Sequence, residues 1–267
     1  MLKKLCRMVG RGALIVLEGC DRCGKSTQSC KLVEVLNQRG SKASFMCFPD
    51  RSTRIGSTIS DYLEKKCELE DHAVHLLFSA NRWELVPKIT SLLESGTTLV
   101  IDRYAYSGVA FTAAKPGFTM DWCRKPDIGL PKPDLVLYLD LKAEDLQERK
   151  NFGEERYEKA EFQQKVAENY KILREPDWQV LDAGRSIEEI HSEILKLAEN
   201  VIRNVDGKEI GKLWVDPPTS PTKSPPLSPN KVKRVIPEET EIPCSPKRAK
   251  LGPKTIPVSP SKMIKCF

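Results

Sequence analysis

The apolar residues of this chain fall into short runs separated by longer segments of mixed polarity. Five runs of bulky or β-branched residues stand out, the last less regular than the others: ALIVLE (13–18), TTLVID (97–102), PDLVLYLD (133–140), WQVLDA (178–183) and ASFMCFP (43–49). The first three show little alternation, which is typical of strands buried on both faces. Segments with helical spacing lie between the runs, such as residues 25–40, which end on Gly40. This order predicts an α/β domain with a parallel sheet, whose ligands bind beyond the carboxyl ends of the strands.

Residues 19–27, GCDRCGKST, follow the first predicted strand and open the first predicted helix. They contain Gly-x-x-x-x-Gly-Lys-Ser, the phosphate-binding loop motif, in the context that this motif requires. Gly19 and Gly24 allow the backbone to turn its N–H groups toward phosphate oxygens. Lys25 would reach the β- and γ-phosphates of a nucleotide, and the Ser26 hydroxyl would bind Mg²⁺. The loop therefore predicts nucleotide binding.

The same stretch contains a Cys-x-x-Cys pair, Cys20 and Cys23, which is a spacing used by redox dithiols and zinc sites. A zinc site needs two further ligands, and the sequence has no second Cys-x-x-Cys. We therefore interpret both cysteines as small residues at variable positions of the loop. Because a helix start, Arg22 and Lys25 lie beside them, we expect a lowered thiol pKa, faster modification than at the other cysteines of residues 12–214, and protection by ATP.

Arginines recur in segments beside predicted strand ends or within predicted helices. These segments are FPDRS with Arg51, FSANRWE with Phe78 and Arg82, IDRYAYSG with Asp102 and Arg103, and ERKNFGEERYE with Arg149 and Arg156. A single one of these arginines would be interpreted as part of a surface ion pair. Phosphoryl transfer between two anionic nucleotides, however, needs several cations around the transferred group. The GTPase motif Asn-Lys-x-Asp is missing, since the candidate at 230–233 ends in Lys, so the pattern favours a small-molecule kinase.

These motifs together resemble those of the eukaryotic thymidylate (dTMP) kinases, a family of nucleoside monophosphate kinases among the P-loop proteins. The segments that support the resemblance are LEGCDRCGKSTQ, FPDRSTRIG, EDHAVHLLFSANRWE, DRYAYSGVAFTAAK, LPKPDLVLYL and FGEERYE. The resemblance spans residues 12–214, after a flexible N-terminus at 1–11. It implies a five-stranded parallel sheet flanked by helices, a homodimer, and a lid over the phosphates. The highly charged segment from about Lys142 to Lys159, which contains Gly153, is the expected lid, and we expect it to order when both nucleotides bind. The implied activity is the phosphorylation of dTMP to dTDP by ATP and Mg²⁺, in dTTP synthesis for DNA replication.

The resemblance also implies roles for individual residues on the acceptor side. The dTMP-binding residues would be Phe78 stacked on thymine, Arg82 and Ser107 at its edge, Arg51 and Arg103 at the acceptor phosphate, Tyr157 at the deoxyribose and Asp21 at the 3′-hydroxyl. One departure from the family stands beside this set, since Asp50 lies where the family usually has Glu. An ion pair made through the longer side chain is therefore not expected here.

On the donor side, the resemblance implies a second set that overlaps the phosphate loop. The ATP-binding residues would be Gly19, Gly24, Lys25, Ser26, Thr27 and Arg149, the last toward the adenine. The catalytic residues would be Asp21, Arg22, Lys25, Asp102, Arg103 and Arg156, with Arg22 on the transferred phosphoryl group and Arg156 toward the phosphates. Mg²⁺ would be held by Ser26 and, through water, by Asp102.

Two other functions fit part of the pattern. One is a kinase for another pyrimidine monophosphate, dUMP or dCMP, because a single methyl group is worth only about 1–3 kcal/mol of discrimination. The other is a catalytically silent nucleotide-binding protein that acts through its C-terminal tail. The presence of the loop residues Asp21, Arg22, Lys25 and Ser26, together with Asp102, favours an active enzyme.

The charge of the chain is concentrated in residues 215–267, which contain 12 of the 19 prolines and a single aromatic residue, Phe267. This tail has ten basic and four acidic residues, a net charge equal to the +6 of the whole chain, so residues 1–214 are neutral overall. A basic surface for nucleic acid is therefore not indicated for the body. Because so much proline and so few aromatics cannot offset the entropy of the chain, we expect the tail to be disordered.

The tail also contains two kinds of short motif. SPKRAKL (245–251), assisted by KVKR (231–234), resembles a nuclear import signal. Ser-Pro-x-Lys or Ser-Pro-x-Arg, the pattern preferred by cyclin-dependent kinases, occurs at Ser220, Ser228, Ser245 and Ser259. We therefore expect an import receptor and a proline-directed kinase as partners, and a location in nucleus and cytoplasm.

The remaining features set the expected environment. Nine cysteines without a framework indicate free thiols in a reducing compartment. No apolar run approaches the ~20 residues of a membrane span. The basic N-terminus MLKKLCRMVGRG weakly resembles a mitochondrial presequence, and we favour an irregular segment before the first strand. His72 and His75, three residues apart on a predicted helix, are expected to be structural.

Overall fold

A computed structural model of the chain describes residues 10–141 and 155–215. Its strands form one sheet in the order β2-β3-β1-β4-β5, and every neighbouring pair is parallel. The strands are β1 (Leu14–Glu18), β2 (Ala43–Cys47), β3 (Thr98–Asp102), β4 (Leu135–Asp140) and β5 (Gln179–Asp182). The predicted five-stranded parallel sheet is therefore confirmed.

Helices connect and cover these strands. They are α1 (Lys25–Gln38), α2 (Arg54–Leu63), α3 (Asp71–Trp83), α4 (Val86–Glu94), α5 (Ala105–Ala113), α6 (Met120–Arg124), a 3₁₀ turn (Lys125–Asp127), α7 (Ala160–Leu173) and α8 (Ile187–Asn204). Several begin with the expected side-chain caps: Thr53 accepts from the N–H of Gly56, and Ser186 and Glu189 form a reciprocal capping box. Within the described ranges, no helix has the length and apolar content of a membrane span.

Strand position explains the sequence pattern of each run. All five residues of β1 and of β3 are buried, because both strands lie inside the sheet with helices on both faces. The edge strands β2 and β5 are only partly buried. The irregular run at 43–49 is therefore an edge strand, which needs fewer apolar residues.

The central position of β1, between β3 and β4, determines where a ligand can bind. The phosphate loop leaves β1 at Glu18, and β3 ends one strand away at Asp102, so the loop and the Asp102–Arg103 pair meet beyond the same edge of the sheet. This edge holds the carboxyl ends of the strands, where ligands bind in sheets of this kind.

Some predicted features lie outside the described residues. They are the N-terminal residues 1–9, the lid residues 142–154 with Arg149, and the tail from residue 216 with its import and phosphorylation motifs. Of the predicted N-terminal segment 1–11, Arg11 is described, and its guanidinium pairs with the carboxylate of Asp134 at 2.6 Å.

Candidate active site

The phosphate loop adopts a conformation that needs both of its glycines. Gly19 and Gly24 have φ of 147° and 96°, which L side chains rarely adopt. A Cβ on Gly19 would also lie 2.6 Å from the carbonyl oxygen of Leu139, so no larger residue fits there. The Lys25 ammonium lies inside the loop and donates to the carbonyl oxygen of Cys20 at 2.5 Å. The loop therefore surrounds a cation at the N-terminus of α1, as a phosphate site requires.

Two arginines, Arg22 within the loop and Arg103 directly after β3, have strained backbones. Arg22 and Arg103 have φ of 60° and 66°, in the left-handed region. This conformation costs a residue other than glycine about 1–3 kcal/mol, and residues that adopt it are concentrated at functional sites. The Arg103 guanidinium pairs with the carboxylate of Asp21 and donates to the carbonyl oxygen of Gly19 at 3.3 Å. Arg22 pairs with Glu158 at 2.8 Å. Arg103 thus pairs with Asp21 and Arg22 follows Asp21 in the chain, and their proposed roles at the phosphates stay predictions.

Ser26 and Asp102 meet between the loop and β3. The Ser26 hydroxyl donates to Oδ2 of Asp102, while Oδ1 of Asp102 is buried and accepts no hydrogen bond from the described residues. A hydroxyl oxygen beside a carboxylate oxygen without a partner fits the hard oxygen donors that Mg²⁺ prefers. The part of the chain that the structure describes contains no group of three His, Cys, Asp or Glu side chains arranged for a metal.

A cleft next to the phosphate loop contains the predicted acceptor residues. Its lining includes all seven residues proposed for dTMP: Asp21, Arg51, Phe78, Arg82, Arg103, Ser107 and Tyr157. These come from the loop, the segment after β2, α3, the start of α5 and the segment before α7. Phe48 and Phe111 also line the cleft and were not predicted. The tertiary structure therefore brings together one set of residues that the sequence spreads over 137 positions.

Arg82 is held in this cleft by a buried partner that the sequence did not indicate. Its Nε and Nη2 atoms donate to the two oxygens of Asp127 at 3.1 and 2.6 Å, and both side chains are almost fully buried. Ser79 donates to the same carboxylate at 2.8 Å. A Cβ on Gly108 would lie 2.8 Å from Nη2 of Arg82, so the glycine makes room for the guanidinium. Arg82 is thus fixed from two sides.

Asp21 has a second fixed partner in Gln163 of α7. The Gln163 amide nitrogen donates to Oδ2 of Asp21 at 2.6 Å, and its amide oxygen accepts from the Asp21 backbone N–H at 2.9 Å. The same nitrogen donates to the carbonyl oxygen of Tyr157 at 3.0 Å. Gln163 is buried within an ordinary helical pattern, and no sequence signal distinguishes it.

The structure pairs two other predicted arginines with carboxylates. Arg51 pairs with Glu155 at 2.6 Å. Arg156 pairs with Glu68 at 2.8 Å and stacks on the ring of Tyr62 at 4.1 Å, so it is directed toward the α2–α3 connection. The proposed role of Arg156 at the phosphates stays a prediction.

Asp50, the departure noted in the sequence, turns back on its own loop. Its Oδ1 accepts from the backbone N–H of Ser52 at 3.0 Å, and its backbone N–H donates to Asn81 at 2.8 Å. The short side chain is therefore used to form the turn that presents Arg51.

The expectation of an activated thiol at Cys20 is wrong. Cys20 and Cys23 are only 2% and 3% exposed. Burial raises the pKa of Cys20 to about 12, because the loss of solvent outweighs the attraction of Lys25 for the thiolate. Both side chains are part of the hydrophobic core.

Burial reverses the expected order of thiol labelling. Cys30 and Cys47 are exposed, so we expect iodoacetamide to modify them before Cys20 and Cys23 in the native protein. Cys47 should react more slowly than Cys30, because partial burial of its thiol raises the pKa of Cys47 to about 11. Peptide mass spectrometry after short exposures measures the four rates, and labelling in denaturant provides the control for intrinsic reactivity. Faster native labelling of Cys20 would contradict the burial argument.

His75 is structural, as the sequence analysis expected. It is fully buried on α3, where Nε2 donates to the carbonyl oxygen of Cys123 at 3.0 Å and Nδ1 therefore accepts from the Thr112 hydroxyl at 2.8 Å. Burial, assisted by the positive charge of Arg82, lowers the pKa of His75 to about 4.

This shift predicts a loss of stability in mild acid. Between pH 6.5 and about 4 the unfolded chain binds a proton at His75 that the folded chain excludes. The free energy of unfolding should thus be highest above pH 6.5 and fall by about 3 kcal/mol toward pH 4 from this group alone. In urea unfolding, the free energy of unfolding of His75→Gln should decrease less between pH 6.5 and pH 4 than that of the wild type. Replacement of the exposed His72 by Gln should leave the pH dependence of the wild type unchanged. Parallel slopes for all three proteins would contradict the assignment.

Comparison with known proteins agrees with this geometry. Residues 17–194 match the family model described as thymidylate kinase. The thymidylate kinases of Danio rerio and of Homo sapiens are each 55% identical over 207 residues, which cover 76% of this chain and 98% of the relative. The solved structure of thymidylate kinase from Candida albicans superimposes with a TM-score of 0.70 at 39% identity and covers 76% of this chain and 99% of that chain. This chain belongs to the thymidylate kinase family.

Proposed function

We propose that this protein transfers the γ-phosphoryl group of ATP to dTMP, with Mg²⁺ as cofactor, and so supplies dTDP for dTTP synthesis. The observation that best supports this is the adjacency of the acceptor cleft and the phosphate loop. Asp21 belongs to both, and its pairing with Arg103 joins the loop to the segment after β3. Two nucleotides bound in these places would have their phosphates between Arg22 and Arg103.

Each residue at this junction has a role that follows from its charge. Lys25 and the loop N–H groups bind the β- and γ-phosphates of ATP, and Arg22 stabilises the charge that develops on the transferred group. Mg²⁺ bound near Ser26 and Asp102 would neutralise phosphate charge and orient the donor. Asp102 contributes a buried carboxylate oxygen that accepts no hydrogen bond from the described residues.

The base edge of the cleft favours thymine or uracil over cytosine. The Arg82 guanidinium can only donate hydrogen bonds, which suits O4 of thymine and repels the N4 amino group of cytosine. The Ser107 hydroxyl donates to Glu18 at 2.5 Å and accepts from Arg103 at 3.3 Å, and the second lone pair of its oxygen can accept from a base N–H. We therefore expect dCMP to be a poorer substrate than dTMP by about two orders of magnitude or more.

The resemblance to thymidylate kinases supplies the other acceptor contacts, and the side chains concerned all line the cleft. Arg51 and Arg103 bind the acceptor phosphate, Phe78 stacks on the base, and Asp21, oriented by Gln163, accepts from the 3′-hydroxyl. Tyr157 lies over this end of the cleft, where it stacks on Phe162 with ring centroids 5.1 Å apart.

A coupled assay of ADP release tests this function. Wild-type protein with ATP and Mg²⁺ should release ADP on addition of dTMP, whereas Lys25→Met, a control for contaminating kinases, should not. Melting temperatures of both proteins exclude unfolding as the cause. The same preparation with dUMP and dCMP separates the pyrimidine alternatives, and no ADP release by the wild type with any of them would support a silent nucleotide-binding protein.

We also propose that the protein forms a homodimer through α3. Leu76 and Trp83 are 49% and 39% exposed although large and apolar, and they lie seven residues apart on one helix face. Light scattering should give twice the chain mass for wild type and a lower mass for Leu76→Asp. Ile172→Asp, at another exposed apolar position on α7, is the matched control and should remain dimeric.

We propose, finally, that residues 215–267 direct the protein to the nucleus under control of phosphorylation. Lys247 and Arg248 form the basic cluster, and phosphate on Ser245 would add about −1.5 to −2 charge directly beside it. A fluorescent fusion of this segment should be nuclear, and Lys247→Ala/Arg248→Ala should be diffuse. Diffuse wild-type fusion would contradict import, and equal nuclear signal from Ser245→Asp would contradict the phosphorylation switch.

A further inference from the structure

Glu18, the last residue of β1, is a fully buried carboxylate at the centre of the molecule. Both of its oxygens accept hydrogen bonds. Oε1 accepts from the backbone N–H groups of Tyr104 and Ser107 at 2.8 and 3.2 Å. Oε2 accepts from the hydroxyls of Ser107 and Tyr170 at 2.5 and 2.8 Å. Four donors thus satisfy a charge that would otherwise be costly to bury.

Helix α5 needs this carboxylate because it has no cap of its own. It begins at Ala105, after the strained Arg103, and its N-cap residue Tyr104 makes no side-chain capping bond. Helix N-termini have free N–H groups and a partial positive charge, which a Ser, Thr or Asp at the N-cap normally satisfies. Glu18 supplies the missing acceptor from a different element, 86 residues earlier in the chain.

The same carboxylate orders the side chains that line the acceptor cleft. Ser107 donates to Glu18 and accepts from Nη1 of Arg103 at 3.3 Å, so a chain of hydrogen bonds runs from Arg103 through Ser107 to Glu18. The Tyr170 hydroxyl extends the network to α7, the helix that holds Asp21 through Gln163. Glu18 is joined to the phosphate loop by its next residue, Gly19.

We propose that Glu18 is a positioning residue for dTMP, which sets the start of α5 and thereby the orientation of Arg103 and Ser107 toward the acceptor nucleotide. This inference rests on the proposed dTMP kinase activity. Glu18 accepts hydrogen bonds directly from α5 and α7, which carry acceptor residues, whereas the Lys25 ammonium is held by a bond within the phosphate loop. Loss of the Glu18 carboxylate should therefore weaken the binding of dTMP more than the binding of ATP.

Glu18→Gln tests the inference, because it preserves the shape of the side chain and one acceptor oxygen. In this variant the NH₂ group must face the hydroxyls of Ser107 and Tyr170, which donate to Glu18 in the wild type. The Ser107 hydroxyl would then have to accept a hydrogen bond from residue 18 instead of donating one. We expect the KM for dTMP to rise about tenfold, the effect of losing a charged hydrogen bond, and the KM for ATP to change less than about twofold. Calorimetric Kd values for dTMP without ATP should rise by the same factor.

Two further variants separate positioning from mere stability. Ile89→Val, at a fully buried core position within α4, should lower the melting temperature and leave the KM for dTMP unchanged. Tyr170→Phe removes one donor from Glu18 and should raise the KM for dTMP by about two- to threefold. If Glu18→Gln does not fold, Tyr170→Phe provides the test on the same criterion.

The possible results distinguish this inference from the function on which it rests. A wild-type protein that neither binds nor phosphorylates dTMP would overturn the proposed function. A wild-type enzyme that does both, with Glu18→Gln or Tyr170→Phe showing unchanged or equally raised KM values for ATP and dTMP, would overturn only the role of Glu18.

Discussion

Replacing Arg22 by alanine should lower kcat by about 10³ while leaving the binding of ATP and dTMP nearly unchanged. An arginine that acts on the transferred phosphoryl group contributes mainly in the transition state, where effects of 10³–10⁵ are typical. The side chain is partly exposed at the junction of loop and cleft and pairs with Glu158 at 2.8 Å, so it can exchange this partner for a phosphate. Steady-state kinetics with both substrates varied measures the change.

A matched variant controls for the backbone at this position. Because Arg22 has φ of 60°, alanine keeps the strain of the left-handed region, whereas glycine relieves it. Arg22→Gly and Arg22→Ala should lose kcat equally if the side chain is responsible. A raised KM at unchanged kcat in both variants would instead assign Arg22 to ground-state binding.

Replacing Asp127 by alanine should strongly destabilise the protein. The substitution removes the partner of an almost fully buried arginine, and the uncompensated Arg82 charge should lower the free energy of unfolding by about 3–5 kcal/mol. Since Asp127 also orients the guanidinium through two hydrogen bonds, the KM for dTMP should rise in any protein that still folds. Urea unfolding and dTMP kinetics measure the two consequences.

The ion pair between Arg11 and Asp134 offers the control for this experiment. It has similar geometry but lies before β4, at the opposite edge of the sheet from the site. Asp134→Ala should therefore destabilise the protein without changing the KM for dTMP. A stability of Asp127→Ala within about 1 kcal/mol of wild type would contradict the buried-charge argument.

The contrast between Cys20 and Lys25 illustrates how far local sequence can predict chemistry. Both belong to the same motif, from which we predicted a phosphate-binding lysine and an activated thiol, and in the structure the Lys25 ammonium donates to the carbonyl oxygen of Cys20. It says nothing about the packing of the loop against β4, where the carbonyl oxygen of Leu139 lies within 2.6 Å of the Cβ position on Gly19. The solvent exposure of a thiol depends on that packing, and so does its pKa.

By itself, the sequence determined the sheet, the phosphate loop and the residues that gather in the acceptor cleft. Strand runs and the loop motif are local patterns, whose physical causes lie within a few residues of one another, and the resemblance to thymidylate kinases added the acceptor set. The tertiary structure alone decided the buried partners of these residues. Asp127 reaches Arg82 across 45 positions, Gln163 reaches Asp21 across 142, and Glu18 caps a helix 86 residues away. Such pairs leave no periodic signal, because a buried charge is stabilised by whichever donors the packing of other elements brings within hydrogen-bond distance.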